Sequence, residues 1–205
     1  MTIKIQKKHF FIVGVILFVI IALIVGVNIY STYKYKQNAI EFKARTSALT
    51  LPMAFVLDDY QKNWRSAIFD HEAYYETGEK LYCSDFNDAI SWRRTANKNI
   101  LSLIDSYFYH IKDLMKDMDT PPSKYENVHN KFLAIYNNLN KLKSLCNSPE
   151  GSLQTFSSDV NNLFSDIQSD LNETDLTIES DTEMMTKYMS DFTESLEILN
   201  KALEK

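Results

Sequence analysis

Glycine and proline are scarce, four of each in 205 residues, and cysteine occurs only twice. Gly14 and Gly26 fall inside one apolar run, which leaves Gly78 and Gly151 for the rest of the chain. So few punctuating residues exclude a fold of many short strands and tight turns and point to long, uninterrupted elements. A Ser-His-Asp arrangement, a phosphate-binding glycine loop and a clustered Cys/His set are all missing, so neither enzymatic activity nor a cofactor or metal is expected. A basic face is missing too. Residues 31–151 carry sixteen basic and fifteen acidic side chains, and residues 152–205 carry three and twelve. That balance excludes nucleic acid, whose phosphates need a basic surface to offset them.

What is present begins with Phe10 to Val27, eighteen residues with no charge, amide or hydroxyl. At 1.5 Å per residue, eighteen to twenty-one apolar residues span about 30 Å, the thickness of a bilayer's hydrocarbon core. A removable signal peptide has a shorter apolar region and small residues at its cleavage site, whereas Asn28, Ile29, Tyr30, Ser31 and Thr32 follow here. The segment therefore reads as an uncleaved signal anchor: residues 1–8 a basic cytoplasmic tail, 9–30 a transmembrane helix, 31–205 a helical domain. Tyr30, Tyr33 and Tyr35 stand where an interfacial aromatic belt is expected. Lys4, Lys7 and Lys8 favour a cytoplasmic N-terminus, and Lys34, Lys36, Lys43 and Arg45 nearly cancel that bias. A short basic tail before a first apolar segment resembles an export signal, which places the domain outside.

Beyond the anchor, apolar residues recur three and four apart, the helical period. Four helices are expected at approximately 31–78, 84–118, 122–147 and 152–204. Pro52 predicts a kink or break near Leu49 to Leu51. Ser84 is a candidate N-cap, with Asp85 and Asp88 in the first turn. Pro121 and Pro122 end the second helix and open the third, which carries the cleanest stripe: Tyr125, Val128, Phe132, Ile135, Leu139, Leu142 and Cys146. The fourth slips in phase at Leu171, a stutter, and any break is expected in the polar stretch from Asn172 to Glu183. Phe156, Leu163, Phe192 and Leu199 are its predicted buried positions. Short connections make neighbours antiparallel, so the fold class is all-α: a transmembrane helix followed by an up-down antiparallel four-helix bundle with long first and last helices. No internal repeat is found.

Candidate chemistry is thin. On that path Cys83 and Cys146 meet at the membrane-distal end, where an oxidising compartment would allow a disulfide; otherwise they are small buried residues. Glu126 and His129 match the Glu-x-x-His pattern of di-iron bundles once, without the second copy such a site needs. His71, Glu72, Tyr75 and Glu76 would share a solvated helix face. Arg93 and Arg94 suit an anionic ligand, or surface ion pairs. Leu49 to Leu57, with Pro52 and Phe55, is too apolar for one helix face and is either core around the kink or a contact surface. In plan the chain resembles the extracytoplasmic sensor bundles of chemoreceptors and the coiled-coil scaffolds of bacterial envelopes. The expected function is a single-pass, membrane-anchored scaffold or accessory subunit that binds another membrane or envelope protein, its oligomeric state unspecified. The alternative is a small-ligand sensor bundle without its own output domain.

Overall fold

A computed structural model describes residues 7–83 and 85–203, and they are mostly helical. Helix α1 runs from Lys7 to Phe69, 63 residues without interruption. Its first part is the apolar run, of mean hydropathy 2.5 and long and apolar enough to cross a membrane. From Val15 to Tyr30 every residue is exposed, and none of the described residues covers this stretch. From Tyr35 onward the same helix becomes the central strut of the folded body: Phe42, Leu49, Met53, Val56, Leu57 and Tyr60 are all fully buried. Burying each such side chain contributes about 1.5–3 kcal/mol. That packing explains why the break expected at Pro52 does not occur. Proline forfeits one backbone hydrogen bond, and the core contacts on both sides of it hold the chain helical.

Helix α1 ends at Phe69 and not near residue 78. Glu72–Tyr74 (β1) pairs antiparallel with Lys80–Tyr82 (β2), Ala73 facing Leu81. This hairpin departs from the all-α expectation. His71 takes a left-handed φ of 56°, which terminates the helix, and Gly78 takes φ 87° in the connecting turn, a conformation that costs glycine little. Glu72, Tyr75 and Glu76 therefore lie on a hairpin and its turn, not on a helix face. The second expected helix is two, α2 (Phe86–Ala96) and α3 (Lys98–Asp117). They meet at the buried Asn97. Asp85 caps α2, its carboxylate accepting from Asn87 N at 2.8 Å. Ser84 lies outside the described residues.

After a 3₁₀ turn at Ser123–Tyr125 comes α4 (Glu126–Asn147). Its seven-residue stripe is buried throughout, from Tyr125 to Cys146. The fourth expected helix is also two, α5 (Leu153–Asp175) and α6 (Thr182–Leu203), separated within the polar stretch. Phe156 and Phe192 are buried, Leu163 is half-buried, and the side chain of Leu199 lies outside the described residues.

Cross-contacts fix the directions. Tyr125 stacks on Tyr35, Phe132 packs on Phe42, and the Tyr60 hydroxyl donates to Cys146 O at 2.9 Å, so α4 runs with α1. Phe156 lies against Trp64 while Asp175 meets Lys43, so α5 runs against it. Tyr188 meets Glu41 and Asn200 meets Asn99, so α6 turns outward again. The last segment thus folds back on itself and does not return to the apolar end as one long helix. Five helical passes, with the hairpin at the far tip, replace the four expected.

Candidate functional site

The residues singled out at Pro52 and Phe55 lie in a groove of about 630 Å³. Helix α1 supplies Leu51, Pro52 and Phe55, α3 supplies Ile100, and α6 supplies Phe192 and Leu196. Leu51 and Phe55 are 60% and 58% exposed, while Phe192, the floor, is 6% exposed. The geometry follows from helical spacing. Leu51 and Phe55 are four apart and share the outer side of α1, whereas Leu49, Met53, Val56 and Tyr60 face inward. Phe192 is fixed edge-on against Tyr107 at 5.0 Å, which makes the floor rigid. Polar groups enter only as Asp58 and Thr193. Asp58 is already paired with Lys62 through an i,i+4 contact. The α1 half of this groove was legible in the density of apolar residues from Leu49 to Leu57. Phe192 and Leu196 read as core stripe, because a single-helix period cannot tell a packed face from a groove wall.

Arg93 and Arg94 separate. The Arg93 Nε donates to Asp59 Oδ2 at 2.8 Å and its Nη1 to Tyr75 O at 3.0 Å, so its guanidinium ties the hairpin to α1. Asp59 also accepts from Asn97 at 2.7 Å and from Asn63 at 3.2 Å, and Asn63 accepts from Tyr74 N at 2.8 Å. This is an internal joint and not an anion grasp. Arg94 is exposed beside Trp64, Phe86 and Gly151 in a shallow cleft of about 290 Å³, with no ion pair among the described residues.

The two cysteines are free and buried, as small core residues. Cys146 sits at the end of α4 with Met53 O 4.0 Å from its sulfur, and Cys83 joins Ala67, Ala73 and Ala89 under the hairpin. Met53 and Ala67 are roughly 20 Å apart along α1. The hairpin carries Cys83 past the level at which α4 ends. Burial, reinforced by the charge of Asp105, pushes the Cys146 thiol up to about 12.

The Nδ1 of His129 lies 3.1 Å from the Tyr35 hydroxyl, and burial lowers its pKa. No group of three or more His, Cys, Asp and Glu side chains converges on a common point among the described residues. In the sequence Lys43 counts only as one of the charges that follow the apolar run. It is 1% exposed, and its ammonium contacts Asp175 and Ile178 O in the turn between α5 and α6. Glu41 and Arg45 beside it are charged as well, so the sequence carries no signal that singles Lys43 out. Compared with protein-family models, curated proteins and solved structures, the chain matches none.

Proposed function

We propose that this chain is a single-pass, membrane-anchored protein whose helical body stands outside the cytoplasm and binds another membrane or envelope protein, as a scaffold or accessory subunit and not as an enzyme. The observation that carries this is the groove of Leu51, Pro52, Phe55, Phe192 and Leu196. An open apolar trough walled by α1, α3 and α6 suits the apolar face of a partner helix, with anchors at i, i+3 and i+4. The groove stands about 36 Å beyond Val27 on the same unbroken helix. A groove at that distance from a membrane-spanning segment would stand clear of lipid and within reach of a neighbouring anchored protein, which supports the reading. A small-ligand sensor needs several polar groups converging on its pocket to fix a ligand's orientation; this groove offers Thr193 and an Asp58 that is already paired.

A photoreactive residue at Thr193, on the groove rim, tests the reading in native membranes. One discrete crosslinked protein is expected, and Phe55→Asp on the same chain should abolish the adduct while far-UV circular dichroism stays unchanged. An adduct that survives Phe55→Asp removes the groove from the function. A thiol placed at Ser152 tests the orientation: labelling by an impermeant reagent in intact cells is expected, and protection until lysis reverses it.

A further inference from the structure

A second cleft, of about 740 Å³, lies where α1 leaves the apolar run, beneath the turn that joins α3 to α4. Its lining is graded along the helix. On the α1 side Val25 and Ile29 lie lowest with Asn28 between them, Thr32 follows and Lys36 stands at the upper end; Ser123 and Lys124 of the turn line the other side. Asp119 and Glu126 flank the turn but do not line the cleft. Neither lysine has a carboxylate partner among the described residues, and the Lys124 ammonium lies 4.7 Å from the centre of the Tyr125 ring. The floor is held by Tyr125 stacked on Tyr35 at 5.2 Å, with the Tyr35 hydroxyl on His129, so the turn is fixed against α1.

The grading matches the layers of a bilayer. A leaflet's headgroup layer is roughly 5–8 Å thick. At 1.5 Å per residue Thr32 lies about 7.5 Å beyond Val27, and Lys36 lies above that layer with a stem long enough to lower its ammonium into it. We infer that this cleft holds an anionic phospholipid of the leaflet that borders the folded body, its phosphate between Lys36 and Lys124 and the root of its acyl chains along Val25 and Ile29. The inference rests on the anchor being in the membrane, and goes beyond it by naming a ligand and its contacts. Each lysine close to an anionic surface is worth roughly fivefold in affinity.

The test uses the full chain in vesicles of phosphatidylcholine alone, and of equal parts phosphatidylcholine and phosphatidylglycerol. Flotation with the neutral vesicles reads the anchor independently of the cleft. Native mass spectrometry of chain released from the mixed vesicles reads the cleft. The wild type should retain phosphatidylglycerol in preference to phosphatidylcholine, and the double variant Lys36→Gln/Lys124→Gln should lose that preference by roughly 25-fold. Lys62→Gln/Lys80→Gln makes the same charge change at the far end, where each lysine has its own carboxylate, and should leave the preference intact. Equal retention by wild type and Lys36→Gln/Lys124→Gln, or equal loss in the distal variant, overturns the inference while flotation leaves the anchor standing. Displacement of the lipid by inorganic phosphate reassigns the cleft to a free anion and also overturns it. Failure to float overturns anchor and cleft together.

Discussion

Asp59 and Lys43 are charged residues on one helix, about 24 Å apart, and each holds a chain reversal against α1. They do so on different terms. The Asp59 carboxylate gathers Asn63, Arg93 and Asn97, all half-buried or buried, and Arg93 and Asn63 each pass a further bond to the hairpin backbone. Lys43 is more deeply buried, yet it reaches only Asp175, whose side chain is 43% exposed, and one carbonyl, Ile178 O. A charge whose partners are shut away from water leaves all of them unsatisfied when it is removed; a charge whose main partner touches water does not.

The largest effect should therefore follow Asp59→Ala. Stranding the Arg93 guanidinium and the Asn97 amide should cost about 3 kcal/mol in urea unfolding of the solubilised chain. Hydrogen exchange at the Tyr74 amide should quicken with it, because Asn63 loses the carboxylate that orients it. Lys43→Ala should cost less, about 2 kcal/mol, made up of a small cavity and one stranded carbonyl while water serves Asp175. Its local signature is faster exchange at the Ile178 amide, which donates to Thr174 O. If Lys43→Ala proves the costlier, access of the partner to water is not what separates the two clusters.

The two clusters also mark what could be read in the sequence. Apolar period located the helix stripes well: Tyr125 to Cys146 is a continuous buried line, and the chain reverses inside the polar stretch after Asn172. Period says nothing of where a helix stops when the stop depends on distant groups. Asn97 separates α2 from α3 while bonded to Asp59, thirty-eight positions away. The hairpin was legible in principle, since Tyr74, Tyr75, Leu81 and Tyr82 around Thr77 and Gly78 form a strand-turn-strand pattern that the helical stripe before it masked. Of the candidate contacts, Pro52 and Phe55 line one groove because both are on α1, whereas the opposite wall comes from α6, whose direction depends on the Lys43 turn. Cys83 and Cys146 part because the hairpin returns Cys83 to the end of α1, its amide on His71 O, whereas α4 ends lower on α1, beside Met53 and Tyr60.

His129 supplies an uncharged control near the other end of the body. Burial, opposed by the charge of Asp119, lowers its pKa from 6.5. Above pH 6.5 the imidazole is neutral in both states and contributes no pH dependence. As pH falls below that value the unfolded chain takes up the proton first, so stability drops, by at most about 1.4 kcal/mol per unit, until the folded imidazole is itself protonated. His129→Gln, which can still accept from Tyr35, should flatten that stretch of the stability curve. An unchanged slope would assign the acid sensitivity to the carboxylates.

The smallest effect, and the sharpest test of the comparison, is expected from Lys43→Met. Methionine keeps most of the lysine stem's packing and withdraws only the charge. Burying an ammonium costs several kcal/mol, which its contacts with Asp175 and Ile178 O offset, so an apolar isostere should change stability by about 1 kcal/mol or less at neutral pH. The pH dependence carries the sign. Burial pushes the Asp175 carboxyl up, but hydrogen bonds from Lys43 and Ser180 and the charge of Lys43 outweigh it and hold the carboxyl below its ordinary 3.8. A depressed folded pKa gives stabilisation that is complete above 3.8 and is lost as pH falls through the folded value. Lys43→Met removes the main cause of that depression, so its curve should lose less in acid than the wild type's, and the two should converge or cross below pH 3.8. Parallel curves throughout would mean that the lysine acts at this turn through its stem and not through its charge, and the contrast with Asp59 would then be one of packing against electrostatics.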